Sequence, residues 1–230
     1  MKKLIYLLAI VPMCFVSCGG DDDDLDNGSN GNNGGKQEIS YTSCPNDRHP
    51  HMIDLGLPSG TKWACCNVGA SKPEDYGGYY AWGETNEKYV YSKDSYRYYL
   101  KESQIGYNIS GISMYDVATA KWGIPWCMPS RSQIKELVDK TTSTWTSLNG
   151  VNGRKFTGSN GGTIFLPAAG SLPAGKDSSI GSIGVYWLCE SFGSGCAYFM
   201  KFSSYLPGGW GQDGFYSTYS GHSVRPVRQD

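Results

Sequence analysis

Histidine, long apolar runs and net charge are all scarce in this chain of 230 residues. The 20 basic and 21 acidic residues nearly cancel. A nucleic-acid-binding domain needs a basic face, so nucleic acid is not an expected partner. The longest apolar stretch, residues 4–16, falls short of the about 20 residues that a membrane-spanning helix requires. The only histidines are His49, His51 and His222. The first two have no nucleophile beside them. His222 adjoins Ser223 within a stretch that reads as a strand, so a Ser/His/Asp constellation is not formed. Gly158-Ser-Asn-Gly-Gly162 lacks the lysine and the following helix of a phosphate-binding loop. Cys44, His49 and His51 are zinc-ligand types, but they sit in a proline-broken loop with no evident fourth ligand. No metal, no cofactor and no catalytic residue are therefore expected.

What is present begins at the N-terminus. Lys2 and Lys3 precede the short apolar run, and Ser17-Cys18-Gly19 ends it. A basic start, an apolar core and a small residue before a break form a secretory signal, here residues 1–17. The break at a cysteine resembles the lipobox of bacterial lipoproteins, with Cys18 as the lipidated residue. Cys14 is the rival, but Pro12 and Met13 fit an extended, small cleavage subsite poorly. Acyl chains contribute about 0.8 kcal/mol per buried CH₂, so several chains on Cys18 give a stable membrane anchor. Asp21, Asp22, Asp23 and Asp24 follow. Four like charges in a row stay solvated, and the run resembles the acidic export signal of Bacteroidota surface lipoproteins. The Asn/Gly/Ser/Asp stretch to Gly35 has almost nothing to bury and reads as a disordered tether. Residues 18–40 are assigned to this anchor and tether, about 20 residues of which span roughly 25 Å r.m.s.. The expected location is the outer membrane, lipid-anchored and facing outward.

Residues 41–230 are long enough for one domain with a core of its own. The 17 Tyr, 7 Trp and 31 Gly of the whole chain, among few aliphatics, point to a loop-rich fold containing β-structure. Loss of Cys14 and lipidation of Cys18 leave Cys44, Cys65, Cys66, Cys127, Cys189 and Cys196. Disulfides persist in exported proteins. A local bridge between Cys189 and Cys196, across what reads as a hairpin, is one arrangement; buried thiols are the other, and six cysteines allow 15 pairings. Cys65 and Cys66 point to opposite faces if they lie on a strand.

Along the domain, 51–68 reads as two short strands broken at Pro58-Ser59-Gly60. Tyr79-Tyr80-Ala81-Trp82 is a further strand or a buried loop, and the polar, Tyr-rich 87–112 reads as a surface insertion. Met114, Val117, Ala118, Lys121 and Trp122 fall at helical spacing with Ser113 as cap. Ser130 and Gln133 form a capping box for a second helix, whose stripe is Ile134, Leu137 and Val138. Residues 154–156 and 163–166 bracket a hairpin around Gly158–Gly162, and 185–189, 196–202 and 223–228 read as later strands. This order predicts an α+β fold with helices segregated from the sheet.

Six motifs carry a resemblance: Asp54-Leu-Gly-Leu-Pro-Ser-Gly-Thr-Lys-Trp-Ala64, Asn67-Val-Gly-Ala70, Asp75-Tyr-Gly-Gly-Tyr-Tyr-Ala-Trp-Gly-Glu84, Trp126-Cys-Met-Pro-Ser130, Ile164-Phe-Leu-Pro-Ala-Ala-Gly170 and Gly221-His-Ser-Val-Arg-Pro-Val-Arg228. In this order they resemble the FISUMP family, the major paralogous domain of Bacteroidota-type surface lipoproteins. The family is similar to the C-type lectin-like fold. That resemblance implies two helices, short strands, long loops, and pairing of the first and last strands, placing 52–55 near 224–227. The sequence lacks the Glu-Pro-Asn, Gln-Pro-Asp and Trp-Asn-Asp triplets by which C-type lectins hold calcium. The related formylglycine-generating enzymes use a copper-binding cysteine pair, but the Cys189/Cys196 spacing is wider and the Arg-rich segment is missing. Arg225 and Arg228 are expected to pair with carboxylates.

The remaining candidate is a binding surface. Tyr205, Trp210, Phe215, Tyr216 and Tyr219 lie among Gly, Ser and Pro in 205–220, a composition suited to recognition because Tyr and Trp supply contact area at low entropic cost. Packing under a long loop is the structural alternative for Trp210 and some of the tyrosines. The expectation is a non-catalytic binding or adhesion module for a glycan or a host or bacterial surface protein. A formylglycine-generating-like oxidase and a structural part of a fimbrial-type assembly are the alternatives.

Overall fold

The computed structural model describes residues 52–99, 101–172, 179–193, 195–206 and 215–228, all within the compact unit Lys36–Asp230. The signal, Cys18, the tether, Cys44, His49, His51 and Trp210 lie outside the described residues. The fold is α+β. Its strands are β1 (Met52–Asp54), β2 (Lys62–Ala64), β3 (Thr142–Leu148), β4 (Val151–Thr157), β5 (Thr163–Pro167), β6 (Ile183–Gly193), β7 (Cys196–Ser203), β8 (Phe215–Ser217) and β9 (Val227–Arg228). The helices are α1 (Val117–Trp122) and α2 (Arg131–Lys140). The strands form three antiparallel sheets, β1-β2-β9, β3-β4-β5 and β6-β7-β8. Among the described residues no helix is long and apolar enough to cross a membrane.

Two capping arrangements define the helices. The capping box of α2 is formed as the sequence predicts: the Ser130 hydroxyl accepts from Gln133 N–H, and the Gln133 side chain accepts from Ser130 N–H. Ile134 and Leu137 then go into the core, each side chain stabilising by roughly 1.5–3 kcal/mol. The start of α1 differs from the prediction. Asp116, not Ser113, is the cap, and Met114 lies outside the helix, exposed. Asp116 Oδ1 accepts from Ala118 and Thr119 N–H, while Oδ2 accepts from Gly111 and Met128 N–H. A buried carboxylate with four N–H donors outcompetes an exposed serine hydroxyl. Burial still pushes the Asp116 carboxyl above the ordinary carboxylate range, and the backbone donors oppose that shift.

The terminal strands share one sheet but do not pair directly. β9 pairs with β2, with Trp63 opposite Val227, and β1 lies on the far side of β2 with Ile53 opposite Trp63. Trp63 is the central residue of that sheet and is fully buried, so the widest side chain takes the middle of the three strands. The 158–162 hairpin packs on β1. A Cβ at Gly158 or Gly162 would drive into the carbonyls of Leu55 or Asp54, which explains glycine at both positions. Cys65 and Cys66 lie past the end of β2, and both pack in the same apolar cluster, so the opposite-face expectation fails with the strand.

Arg225 also departs from expectation. It is buried, and its guanidinium donates to Asn67 Oδ1 at 2.8 Å, to the Ala64 and Cys65 carbonyls at 3.1 and 3.0 Å, and to the Phe165 carbonyl at 2.9 Å. Carbonyl and amide dipoles, not a carboxylate, hold this cation. Arg228 lies over the Trp126 ring at 5.8 Å.

Replacing Arg225 with Lys removes the planar fork and strands several of these acceptors. The expected loss is about 2–4 kcal/mol of unfolding free energy by urea titration. Lys135→Ala, which removes an exposed i,i+4 ion pair with Asp139, changes it by less than about 0.5 kcal/mol.

Candidate functional site: an aromatic groove at the tip of the long hairpin

β6 and β7 form a long hairpin whose register breaks twice near its tip, between Trp187 and Ser191 and between Ser191 and Gly193. Such breaks bend a strand and re-aim its side chains. Beyond them Phe192 stands half exposed, its ring meeting Tyr198 edge-on at 5.4 Å, while Arg131 covers Tyr198 at 4.0 Å. The 87–112 segment contributes further lining, as do Ser217 at the end of β8 and Tyr219 just after it. Together they enclose a groove of about 880 Å³ lined by Lys93, Tyr99, Ser103, Tyr107, Phe192 and Tyr219 among others.

The groove is aromatic, and among the described residues Lys93 is the one charged side chain in its lining. Tyr107 is 62% exposed and Phe192 50%, so both leave aromatic surface uncovered. Lys93 Nζ lies 4.5 Å from the Tyr99 ring centre, and the Tyr99 hydroxyl beside it holds the ammonium above the ordinary lysine range. Gly106, Gly193 and Gly195 leave stretches of wall without side chains. The hydroxyls of Ser103, Ser191 and Ser217 complete the lining.

The predicted binding residues are dispersed by the fold. Tyr219 lines the groove, half buried. Tyr205 is exposed just past β7. Tyr216 turns inward, edge-on to Phe199 at 4.6 Å and to His222 at 4.7 Å. Phe215 opens β8, with its backbone alone described. Tyr99, Tyr107, Lys93 and Phe192 were not singled out from the sequence. The available signal was the tyrosine density of 87–112, which the structure finds folded back onto the body through buried Tyr91, Tyr96, Ile105 and Ile109.

A second, smaller cavity of about 340 Å³ lies beside the start of α2, lined by Asn108, Ser110, Cys127, Ser130, Gln133 and Cys189. Burial and the neighbouring Glu190 carboxylate push the Cys189 thiol well up. Burial also raises the Cys127 thiol, with the Ser110 side chain opposing. Cys196 lies opposite Gly193 in the ladder and lines the larger groove instead. Cys189 and Cys196 thus open into different cavities. Among the described residues no three His, Cys, Asp or Glu side chains come together as metal ligands.

His222 is sealed in the core. Its ring lies 4.2 Å from that of Trp187 and close to Tyr216, and neither ring nitrogen has a hydrogen-bond partner. Ser223 donates to the Tyr76 carbonyl at 3.1 Å, so the two neighbours make no nucleophile–base pair. Burial lowers the His222 pKa to about 3. No family model matches this chain, and neither the curated proteins nor the solved structures contain a match.

The folded protein therefore resists protonating His222, whereas the unfolded chain takes up that proton near pH 6.5. Stability from this residue is complete above pH 6.5 and is lost as pH falls toward 3, at up to about 1.4 kcal/mol per pH unit. Urea unfolding of wild type and His222→Phe across that range checks it. The variant lacks this part of the slope; equal slopes in both proteins assign the acid sensitivity elsewhere.

Proposed function

We propose that this chain is an outer-membrane lipoprotein, anchored through Cys18 and facing outward, whose domain is a non-catalytic binding module. The groove between Tyr107 and Phe192 is its ligand face. That groove is the observation that carries the reading. It is open, lined by aromatic side chains and serine hydroxyls, and among the described residues its one charged side chain is Lys93. Ligand sites are concave and mostly apolar, with a few polar groups that fix orientation. Aromatic rings give contact area with little rotamer freedom to lose.

Further support for the anchor comes from the basic start, the apolar run, Ser17-Cys18, the acidic 21–24 and the Gly/Asn tether. A tether of that kind sets a binding domain clear of the headgroups while the acyl chains hold it. The finer fold assignment belongs to the same proposal. A C-type lectin-like domain of the FISUMP type is supported by the six motifs, the two helices and the first and last described strands sharing one sheet. Partners of the groove are a glycan or a protein of a host or bacterial surface.

Two measurements test this. Cys18→Ala moves the protein from the membrane to the soluble fraction and abolishes incorporation of labelled palmitate; retention on the membrane rejects the anchor. On glycan and surface-protein arrays, Tyr107→Ala and Phe192→Ala each weaken the wild-type hits at least tenfold, as loss of an aromatic anchor worth about 1.4 kcal/mol or more requires. Tyr205→Ala, outside the groove, leaves them within about twofold. Hits that survive both groove substitutions place the ligand face elsewhere.

A further inference from the structure

The smaller cavity brings together two cysteines that the sequence places 62 positions apart. Cys189 N–H donates to the Pro129 carbonyl at 2.9 Å, so the segment carrying Cys127 runs alongside β6. Ile109 N–H donates to the Cys189 carbonyl at 3.0 Å, and this brings the strip with Ser110 to the same place. Cys127 is half buried and Cys189 is buried, and both line one polar space walled by Asn108, Ser110, Ser130 and Gln133. The two thiols are close enough that ionising one opposes ionising the other. Cys196, the neighbour in sequence, lies past the register breaks and lines the other groove.

We propose that Cys127 and Cys189 are a dithiol that closes to a disulfide across this cavity, so that the partner of Cys189 is Cys127 and not Cys196. The oxidant is a disulfide compound, of the small-molecule or protein type found in oxidising compartments. The thiolate of Cys127, the more accessible sulfur, attacks the oxidant's S–S bond and releases one thiol. The thiolate of Cys189 then attacks the mixed disulfide at the Cys127 sulfur and releases the second. Two S–H bonds are lost and one protein S–S bond forms. The oxidant's S–S bond is reduced by two electrons to two thiols, which carry the two protons. The bridge fastens the chain entering α2 to β6. That joins the Trp126-Cys-Met-Pro-Ser130 motif, through its second residue, to the hairpin bearing the groove. Export supplies the compartment, but the chemistry is tested in vitro without reference to it.

The test is peptide mapping of the full chain after equilibration with oxidised glutathione, quenched with a maleimide in denaturant so that buried thiols are labelled. Trypsin alone leaves Cys189 and Cys196 in one peptide, so a glutamyl protease cutting after Glu190 is added. The expected product joins peptide 122–131 to peptide 177–190, less two hydrogens. Cys196→Ser gives the same linked pair. The proposal is overturned if Cys189 is joined to peptide 191–201, or if Cys189 carries maleimide after equilibration. Neither result touches the binding reading, which the groove substitutions decide separately.

Discussion

The guanidinium of Arg225 is the interaction on which this small, loop-rich body depends. Three backbone segments converge on it: the end of β2 at Ala64 and Cys65, the following loop at Asn67, and β5 at Phe165. A buried cation is costly unless its donors are satisfied. Here the compensation comes from carbonyl and amide dipoles fixed by the backbone. The network continues outward. Asn67 uses its amide to donate to the Tyr76 carbonyl and the Tyr186 hydroxyl, and Tyr186 donates to the Pro167 carbonyl at 2.6 Å. One side chain near the end of the chain thereby fixes elements from the beginning and the middle. Short strands gain little from their own ladders, two to three residue pairs in β1, β2 and β9, so such cross-links supply what regular structure does not.

That frame also sets the position of β6. Trp82 donates its indole N–H to the Leu188 carbonyl at 2.9 Å, and Trp187 donates to the Tyr80 carbonyl at 2.7 Å. Two reciprocal indole bonds thus stitch the 79–84 loop to the strand. Alternate residues of β6 serve two cores: Tyr186 and Leu188 face one apolar cluster, while Val185, Trp187 and Cys189 face the other. That stretch of the strand is packed on both faces, whereas the hairpin tip past the register breaks contributes to neither cluster through Phe192 or Gly193. The groove stands at the boundary between these two regimes.

The parts of this architecture that follow local rules were legible in the sequence. The α2 capping box, the 158–162 hairpin and the first two strands rest on turn chemistry and periodicity within a few residues. β3 was not foreseen, although Asn149-Gly150, both at positive φ, marks its hairpin turn. Its seven residues are mostly Ser and Thr at half-exposed positions, so apolar periodicity gave no signal. The Asp116 cap was hidden because its four donors come from both sides of the helix start, including Met128 from beyond its end. The carbonyl partners of Arg225 were hidden for the same reason. A carboxylate partner can be guessed from composition, but a carbonyl acceptor can be assigned only once the backbone is placed. The groove residues come from three separated segments, so no single window of sequence contained the site.

The six motifs and the groove divide the sequence between them. Trp63, Asn67, Tyr80, Trp82, Trp126, Leu166, His222 and Arg225 all belong to motifs, and each is buried, packed or hydrogen-bonded within the frame. Tyr107, Phe192, Lys93 and Tyr219 belong to none of them. A resemblance built on those motifs therefore describes what holds the domain together, and it is silent about what the domain touches. If the domain binds a ligand, as proposed, its contact residues are to be sought in the segments that the motifs leave out.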